Sequence, residues 1–516
     1  MADDLGWNDV GFHNSKVKTP NIDALLKAGI GLTSNYAAPV CSASRAALLT
    51  GKYPSHTGFQ HAVFPSQAPS CLPLEHKLLP TYMKEEGYVT KMLGKWHLGY
   101  CTKECLPTNR GWDEFRGVLG GESDYYNWEE NNVVLKYINE TVNIPRKVDP
   151  VHMSIQDKND VVDMISAHKG NSDPFFMMVS PTAPHSPMQV TDDMYNVNAD
   201  LGLDPNDPDE DARRKYLGLV SALDDIVKAT VEALKDAGLL SNTVIIFQSD
   251  NGGSSLRGGH GECYGNNYPL RNGKATPYEG GIKVPTIYVD PRLPDHTRGT
   301  TRNFLMHITD WLPTFLSLAS GATPKGIDGL SQISNLGESY QTTDKYTVRD
   351  RFLVTLDTLS MIKPIYKCTD RDGAYRYKDW KLVYGKKSVV TGDENSPDMY
   401  RKPEESPELP TLTGDSCVIG EGLNKEVRCL FNIKDDPSEQ HNKYDSEPKI
   451  VAQLWAMLNQ EKTTIVREVY ARPEPVSESN TVNVDGVYVP KIPFCNSDAF
   501  PLEDNYKDCK PGHDEL

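Results

Sequence analysis

The chain has 516 residues, with 71 acidic against 54 basic side chains and a formal net charge of −17. This length exceeds one ordinary domain, so two domains are expected. An apolar fraction of 38% with 24% charged residues indicates a globular protein and excludes a largely disordered one. The acidic balance argues against a nucleic-acid surface, and no apolar run is long enough to span a bilayer.

The segment at 41–51 predicts a helix whose first residue is a cysteine. It reads Cys-Ser-Ala-Ser-Arg and then Ala-Ala-Leu-Leu-Thr-Gly, with Gly51 as a suitable C-terminal stop. Cys41 therefore lies at a helix N-terminus, where free backbone N–H groups and the helix dipole favour an anion. The alternative interpretation of this segment alone is a small buried cysteine before an ordinary helix.

Three apolar runs, at 88–93, 174–180 and 243–248, predict strands. Residues 215–238 have helical spacing and end in a glycine, and a further helix is predicted to open at 309–313 with a proline in its first turn. Strands that alternate with helices predict an α/β sheet covered by helices.

Polar side chains follow each of these predicted strands. Lys95 and His97 come after the first, His185 after the second, and Asp250 with Asn251 after the third. Because ligands bind beyond the carboxyl ends of strands in such sheets, these side chains are expected at one edge. Taken singly, each also fits a purely structural interpretation: a solvated lysine, a hydrogen-bonded histidine or a tight Asp-Asn-Gly-Gly turn.

Two more carboxylates, Asp3 and Asp4, stand near the start of the chain. With Asp250 and Asn251 they offer three carboxylates and one amide. This donor set suits calcium or magnesium better than zinc, because no Cys/His cluster accompanies it. An Asp-Asp pair otherwise commonly forms a solvated turn.

Two segments resemble the signatures of the sulfatase family. One is the pentapeptide at 41–45, and the other is Gly-Lys-Trp-His-Leu-Gly at 94–99, at about the family's distance from the first. The resemblance runs from Asp3 to about Gln440 and is closest to animal arylsulfatases of the B, I and J type. Many members have proline where this chain has Ala43, although some relatives carry alanine there.

The resemblance implies an alkaline-phosphatase-like fold. A large mixed sheet flanked by helices is followed by a smaller C-terminal domain with a four-stranded antiparallel sheet. We expect the catalytic domain at 1–345 and the smaller domain at 346–516. Sulfatases usually carry an apolar strand and a signal peptide before the Asp-Asp pair, so the chain is expected to be truncated at its N-terminus.

The resemblance also implies hydrolysis of sulfate esters by formylglycine, which a formylglycine-generating enzyme makes from the cysteine. Hydrated to a geminal diol, formylglycine attacks sulfur with one hydroxyl, which the metal ion acidifies. The second hydroxyl then loses its proton and inorganic sulfate leaves. The implied catalytic residues are Cys41, Arg45, Lys95, His97, His185 and Lys274. The implied ligands of Ca²⁺, or of Mg²⁺, are Asp3, Asp4, Cys41, Asp250 and Asn251.

Each implied catalytic residue has an implied role. Arg45 and Lys95 hold the diol and the charge on the metal side, and His97 helps to deprotonate the second hydroxyl. Lys274 and His185 bind sulfate oxygens and protonate the leaving alcohol. Preorganised cations in a site without water stabilise the charge that develops on these oxygens.

Two other function classes stay open. One is a phosphodiesterase or phosphonate hydrolase of the same fold, which the relative turnover of aryl sulfate and aryl phosphate separates from a sulfatase. The other is a non-catalytic lumenal binding protein, which a mature chain without formylglycine would favour. The substrate stays open between a sulfated sugar and a small-molecule sulfate. Loops at 258–267 and 340–357 are expected to form the leaving-group pocket, and 258–263 looks like an insertion relative to the B-type enzymes.

The two ends of the chain point to different compartments. His-Asp-Glu-Leu at 513–516 is a retrieval signal that predicts the endoplasmic-reticulum lumen and its retrieval receptor, with the lysosome or secretion as alternatives. Ten cysteines and a glycosylation sequon at Asn139 fit the secretory route, yet no signal peptide opens the chain.

Disulfide pairings are partly suggested. Resemblance to the B-type branch implies a bond between Cys71 and Cys105. A bond between Cys417 and Cys429 is suggested by their proximity in sequence. Cys101 is expected to pair with Cys495 or Cys509, both near the C-terminus.

Overall fold

The computed structural model describes residues 1–60, 63–130, 133–134, 136–139, 141–142, 151–254, 263–319, 323–337, 348–357, 372–386, 400–419, 426–466, 469, 481–484 and 487–490. The helices are α1 (Pro20–Ala28), α2 (Cys41–Thr50), α3 (Leu79–Glu85), α4 (Met153–Ser166), α5 (Asp192–Asn196), α6 (Pro208–Asp236), α7 (Glu279–Ile282), α8 (Trp311–Ala319), α9 (Ile333–Leu336) and α10 (Pro448–Glu461). The strands are β1 (Ile30–Leu32), β2 (Asn35–Tyr36), β3 (Val89–Lys95), β4 (Glu114–Val118), β5 (Glu129–Glu130), β6 (Val133–Val134), β7 (Lys136–Ile138), β8 (Thr141–Val142), β9 (Phe175–Ser180), β10 (Ile245–Gln248), β11 (Thr286–Val289), β12 (Thr300–Arg302), β13 (Met306–His307), β14 (Arg351–Asp357), β15 (Asp372–Tyr377), β16 (Trp380–Lys386), β17 (Val418–Ile419), β18 (Glu426–Asn432), β19 (Thr481–Val484) and β20 (Val487–Pro490).

Two sheets lie at the centre of the N-terminal part of the chain. One has the strand order β8-β7-β4-β3-β9, and the other has the order β10-β11-β1-β12. Both sheets are mixed. In the first, β3 is parallel to β4 and β9 and β4 is antiparallel to β7; in the second, β11 is antiparallel to β10 and β1 and β1 is parallel to β12. With their covering helices, they form the predicted large mixed sheet in two pieces.

The first two residues join these sheets. The Met1 amine donates to the Val179 carbonyl in β9 at 2.7 Å, and the Ala2 N–H donates to the Gln248 carbonyl in β10 at 2.8 Å. A largely apolar cavity of about 630 Å³ borders both strands and is lined in part by Phe176 and Phe247. Within the described ranges no further segment pairs with the edges of β9 and β10 that face it, which is why the sheet is divided.

The predicted helices and strands are present with shifted ends. Helix α2 ends where expected, at Gly51, whose φ of +67° favours glycine. Helix α6 begins seven residues before the predicted start, because the Asp207 side chain accepts hydrogen bonds from two N–H groups of its first turn. Strand β3 extends through Lys95, so the prediction that this lysine lies beyond the strand was wrong, and His97 is two residues past its end.

A second antiparallel sheet lies towards the C-terminus, in the order β14-β15-β16-β18-β17. Its four long strands are the predicted four-stranded sheet, and the two-residue β17 extends one edge. Helix α10 covers this sheet with Leu454 and Leu458. The sheet packs on the N-terminal part through a shared apolar core that includes the Tyr36 and Phe352 rings, 4.9 Å apart. The predicted domain boundary at 345/346 lies outside the described residues and stays a prediction.

The described helices do not include one with the length and apolar character that a bilayer crossing requires. Two small sheets remain among the described residues: β13-β2, and β19-β20-β6-β5, which joins residues near 130 to residues near 485.

Candidate active site

Cys41 is the first residue of α2, and its side chain is buried at 1% exposure. Its Sγ lies 3.3 Å from Nδ1 of His97, while Nε2 of His97 lies 2.8 Å from the Phe64 carbonyl. Since a carbonyl only accepts, Nε2 carries the ring proton and Nδ1 is free to accept one from the residue at 41. Burial, and then the Lys95 charge, lower the pKa of His97 well below its usual value, so its ring is neutral.

Three carboxylates converge beside this cysteine. One oxygen each from Asp3, Asp4 and Asp250 lie within 4.8 Å of one another, and all three side chains are buried. A parallel bridge between Ala2 and Ser249 aligns the two segments that carry them. We call these three carboxylates together with Asn251 the acid cluster.

Arg45 reaches the acid cluster from the same helix as Cys41. Its Nη2 and Nε donate to Oδ2 of Asp250 at 2.8 and 3.2 Å, and its Nη1 donates to the Lys95 carbonyl and the Ser180 hydroxyl. The arginine is one full turn after the cysteine, so α2 presents both to the cluster. Because it is fixed by four hydrogen bonds, Arg45 is a rigid cation next to the reacting position.

Two lysines neutralise the other carboxylates. Nζ of Lys95 lies 2.7 Å from Oδ2 of Asp3, and Nζ of Lys274 lies 2.7 Å from Oδ2 of Asp4. Burial acts to raise the pKa of Asp4, but the charge and hydrogen bond of Lys274, together with the other positive charges nearby, outweigh it and lower the pKa of that carboxyl. Burial acts to lower the pKa of Lys274, but the Asp4 charge and the other acidic groups around it together raise that pKa well above its usual value.

Asp250 behaves differently from Asp4. Burial, followed by the charge of Asp3, raises its pKa to about 6 even though Arg45 acts in the opposite direction. Like-charge repulsion between carboxylates at such short range is relieved by a bound cation.

The acid cluster has the donors that a hard cation needs. Oδ1 of Asp3 and Oδ1 of Asn251 are buried and find no hydrogen-bond partner in the described part of the chain. Asn251 uses its amide N–H groups on Oδ1 of Asp4 and on the Gly252 carbonyl, which leaves its oxygen as an acceptor. Buried oxygens without donors, beside three carboxylates, fit Ca²⁺ or Mg²⁺.

His185 and Lys274 stand on the Asp4 side of the cluster. Nε2 of His185 lies 3.2 Å from Nζ of Lys274 and 3.5 Å from Oδ2 of Asp4. Burial, and then the Lys274 charge, lower the pKa of His185 to about 4. The structure therefore brings all the sequence-predicted catalytic and metal positions into one buried site, with a neutral imidazole on either side.

A second group of buried charges lies behind the site. Nζ of Lys381 in β16 lies 2.9 Å from Oε1 of Glu279 in α7 and 2.7 Å from Oε1 of Glu439. Tyr36 donates to the other Glu279 oxygen at 2.9 Å, and the Glu279 N–H donates to the other Glu439 oxygen at 2.7 Å. We call these four residues the Lys381 cluster.

The Lys381 cluster holds the backbone that carries Asn251. Helix α7 begins at Glu279, and the Gly252 N–H donates to the Gly281 carbonyl at 2.9 Å. A Cβ at Gly252 would come within 1.8 Å of the Gly280 carbonyl oxygen, so the approach of the two segments requires glycine there. Sequence reasoning missed this support, because nothing near Lys381 signals its remote partners.

Cys263 is the other residue of the site that sequence reasoning missed. It is reduced and buried, and its Sγ accepts the Ser186 N–H at 3.1 Å, next to His185. The only available signal was its position in the glycine-rich segment interpreted as an insertion.

The remaining predicted features have mixed outcomes. Cys71–Cys105 and Cys417–Cys429 are disulfides, and Cys101 is also disulfide-bonded. Its predicted partners, Cys495 and Cys509, lie outside the described residues, as do the C-terminal tetrapeptide and residues 258–262 and 340–347 of the two predicted pocket loops. Asn139 is exposed, and its glycosylation stays a prediction.

Comparison with known proteins gives consistent matches. The sulfatase family profile matches residues 1–322. Arylsulfatase J of Mus musculus is 34% identical over 489 residues, covering 92% of this chain and 77% of that protein. N-acetylgalactosamine-6-sulfatase of Homo sapiens is 32% identical over 363 residues, covering 65% of this chain and 64% of that protein. The crystal structure of Ps i-CgsB in complex with k-i-k-neocarrahexaose superposes with a TM-score of 0.70 at 26% identity, covering 91% of this chain and 93% of that one.

Proposed function

The chain belongs to the sulfatase family and is a sulfuric ester hydrolase, and we propose that its activity depends on formylglycine made from Cys41. The observation that carries the proposal is the position of Cys41, buried at the N-terminus of α2 between the acid cluster and His97. Three fixed cations and a neutral histidine surround that position, and this is the environment that transfer of an anionic group needs.

The acid cluster would hold the divalent ion, with Ca²⁺ as the proposed species and Mg²⁺ as the alternative. Its buried oxygens without donors, on Asp3 and Asn251, support this assignment. When bound, the ion and formylglycine together supply the nucleophilic oxygen that attacks sulfur. Lys95 and Arg45 fix the carboxylates of Asp3 and Asp250 so that the cluster is preorganised.

Proton transfer would use the two histidines and Lys274. Nδ1 of His97 accepts a proton from the side chain at 41, because its other nitrogen is committed to the Phe64 carbonyl. Lys274 and His185 bind sulfate oxygens on the opposite side, and the Lys274 ammonium is a proton source for the leaving alcohol. Ser180 is a positioning residue, since its hydroxyl accepts a hydrogen bond from Arg45.

The substrate class that we propose is a sulfate ester of a sugar or of a small alcohol. Two of the similar proteins carry sugars in their names, namely N-acetylgalactosamine-6-sulfatase and Ps i-CgsB in complex with k-i-k-neocarrahexaose. We propose a secretory route with retrieval to the endoplasmic reticulum, supported by the sequence at 513–516 and by the disulfides.

The test is the mass of the tryptic peptide 28–45, taken from protein made behind a signal peptide in a host that converts a known sulfatase. We expect the peptide to be lighter than the cysteine form by the thiol-to-aldehyde difference, and the enzyme to hydrolyse an aryl sulfate faster than the matching aryl phosphate. The Cys41→Ala variant is the matched control and should show neither property.

Two results would contradict the proposal in different ways. Unmodified cysteine in an active enzyme would remove the dependence on formylglycine, and unmodified cysteine without turnover would favour a binding protein. Conversion with faster turnover of the aryl phosphate would favour the phosphodiesterase alternative.

A further inference from the structure

Three donor atoms of different chemistry converge on the side of Asp4 that faces away from Asn251. The Sγ of Cys263, a ring nitrogen of His185 and a carboxylate oxygen of Asp4 lie within 4.8 Å of one another. The three residues are 1%, 7% and 0% exposed, respectively. A thiol, an imidazole and a carboxylate at this spacing are the donor set that zinc prefers, whereas the acid cluster offers oxygen alone.

The histidine is oriented as a metal ligand would be. Nδ1 of His185 lies 2.8 Å from the Ser186 carbonyl, so it carries the proton and donates it. Nε2 therefore bears the lone pair, and it faces Oδ2 of Asp4 at 3.5 Å. A backbone carbonyl that fixes the far nitrogen of a ligating histidine is the usual second contact in metal sites.

The sulfur is supported in the same way. The Ser186 N–H donates to Sγ of Cys263 at 3.1 Å, and such a bond stabilises a metal-bound thiolate. The two oxygens of Asp4 serve different neighbours, since Oδ1 accepts from Asn251 and Oδ2 faces His185. One carboxylate can therefore contribute to two adjacent cation positions.

We propose that Cys263, His185 and Asp4 form a second metal site, selective for a thiophilic divalent cation such as Zn²⁺, beside the oxygen-rich calcium site. Binding releases the thiol proton of Cys263 to solvent and leaves a thiolate, an imidazole and a carboxylate on the ion. Ca²⁺ and Mg²⁺ do not compete there, because neither favours sulfur or nitrogen ligands.

Occupation of this site inhibits catalysis, a consequence that rests on the proposed function. Nζ of Lys274 lies 2.7 Å from Oδ2 of Asp4 and 3.2 Å from Nε2 of His185, the same two atoms that the ion needs. The ion displaces the ammonium and withdraws His185, so that two of the groups assigned to sulfate are lost. Inhibition is therefore competitive with the sulfate ester.

Cobalt titration of the calcium-loaded full chain tests the site without any catalytic readout. Co²⁺ bound to a thiolate gives a charge-transfer absorption band in the near ultraviolet. We expect the band to saturate at one ion per chain in the wild type and in Cys41→Ala, and to be absent from Cys263→Ser and Cys263→Ala. A band that survives in the Cys263 variants, or that is lost in Cys41→Ala, would overturn the proposal.

A second measurement needs no substitution at all. The native wild type is pulsed with iodoacetamide, quenched, denatured and digested, and alkylation is read on the tryptic peptide 258–271, which contains Cys263. A pulse of iodoacetamide on the native protein should label this peptide at least about tenfold more slowly with Zn²⁺ than with Ca²⁺ alone. Equal labelling under both conditions contradicts zinc ligation by Cys263, even where the variants fail to fold.

Activity then connects the site to inhibition. The Zn²⁺ concentration for half-inhibition of aryl sulfate hydrolysis should rise at least about tenfold in Cys263→Ser, since loss of a supporting group already costs about that much affinity. Equal zinc sensitivity in both proteins would place the inhibitory ion in the acid cluster and sink the proposal. An enzyme without sulfatase activity would refute the proposed function, while the cobalt band would still decide whether the site exists.

Discussion

The acid cluster and the Lys381 cluster are both groups of fully buried charges, yet they treat their oxygens in opposite ways. In the Lys381 cluster each of the four carboxylate oxygens has a cation or a donor within 2.9 Å. In the acid cluster Oδ1 of Asp3 and Oδ1 of Asn251 have no partner among the residues that the structure describes. The first arrangement is complete without a ligand, and the second becomes complete only with one.

This difference separates structural charges from functional ones without reference to any motif. A buried ion group that only connects two parts of a fold is satisfied internally, because an orphaned oxygen costs about 1–3 kcal/mol. In a cation site the free-energy cost of the unpartnered oxygens is removed only when the cation binds. Substitutions in the acid cluster should therefore lower mainly activity, and substitutions in the Lys381 cluster should lower mainly stability.

The largest expected effect is on activity, from Asp3→Asn. Loss of one carboxylate from the acid cluster should lower kcat/KM for an aryl sulfate by more than about 100-fold, since even supporting groups of a metal site are worth about 10–100-fold. Calcium at 100 times its Kd should stabilise the folded wild type by about 2.7 kcal/mol and thereby raise its Tm. The Tm of the variant should not change when calcium is added. Activity assays and calorimetry with and without calcium measure both effects.

Asp9→Asn is the matched control for that substitution. Asp9 is equally buried, but the Arg213 guanidinium faces its Oδ1 at 2.8 Å, and its Oδ2 accepts hydrogen bonds from the Asn266 N–H and the Tyr216 hydroxyl, so its charge is already paired. Its variant should lose stability and keep its calcium response. An Asp3→Asn enzyme with an intact calcium response would show that the orphaned oxygen is not a ligand.

The second effect is on stability, from Lys381→Met. Removal of the ammonium leaves Glu279 and Glu439 buried beside each other without a cation, which should cost about 3–5 kcal/mol of unfolding free energy. Denaturant unfolding measures this loss. A loss below about 1 kcal/mol would mean that the Lys381 cluster is not the completed ion group that its distances indicate.

A third group, the partly buried His13, sharpens the comparison because it is kept neutral instead of being paired. Its ring stacks on Trp7, its Nδ1 lies 2.6 Å from the Trp7 carbonyl, and burial lowers its pKa to about 4. The folded chain therefore resists protonation while the unfolded chain takes a proton near pH 6.5. Its stabilising contribution is fully present above pH 6.5 and declines as the pH falls towards 4, by about 2 kcal/mol at pH 4.5.

The His13→Gln variant isolates this contribution. Urea unfolding of both proteins at pH 7 and pH 4.5 gives the change in unfolding free energy between the two pH values for each protein. The difference between these two changes does not depend on any packing that glutamine loses, because that loss is the same at both pH values. Parallel pH profiles of the unfolding free energy for the two proteins would show that His13 is not held neutral in the folded chain.

The smallest effect is expected from Lys215→Met, the same substitution as at Lys381 but at an exposed pair. Lys215 lies 2.6 Å from Asp211 one turn earlier on α6, with 37% of its side chain exposed. Its loss should change the unfolding free energy by no more than about 0.5 kcal/mol. The ratio of the losses in unfolding free energy of Lys381→Met and Lys215→Met, measured in the same denaturant, shows how much burial increases the contribution of an ion pair to stability.

The sequence predicted what local signals encode. Helix α2, with its cysteine at the start and Gly51 at the end, follows from a cap and an apolar run, and the strands before His185 and Asp250 follow from short apolar stretches. The extent of β3 was missed because Lys95 is a poor strand former, and its burial depends on Asp3. The Lys381 cluster joins residues more than 100 positions apart, and no pattern within a window of sequence contains that information.

The burial of α2 also fixes an order of events in the life of the protein. Every residue from Cys41 to Thr50 is enclosed, and Cys41 itself is 1% exposed. Because an enzyme cannot reach a thiol that is 1% exposed, the maturation that we propose has to precede the packing of α2. In chains that fold before oxidation, Cys41 stays unmodified. The fraction of active enzyme therefore depends on the relative rates of oxidation and folding during synthesis.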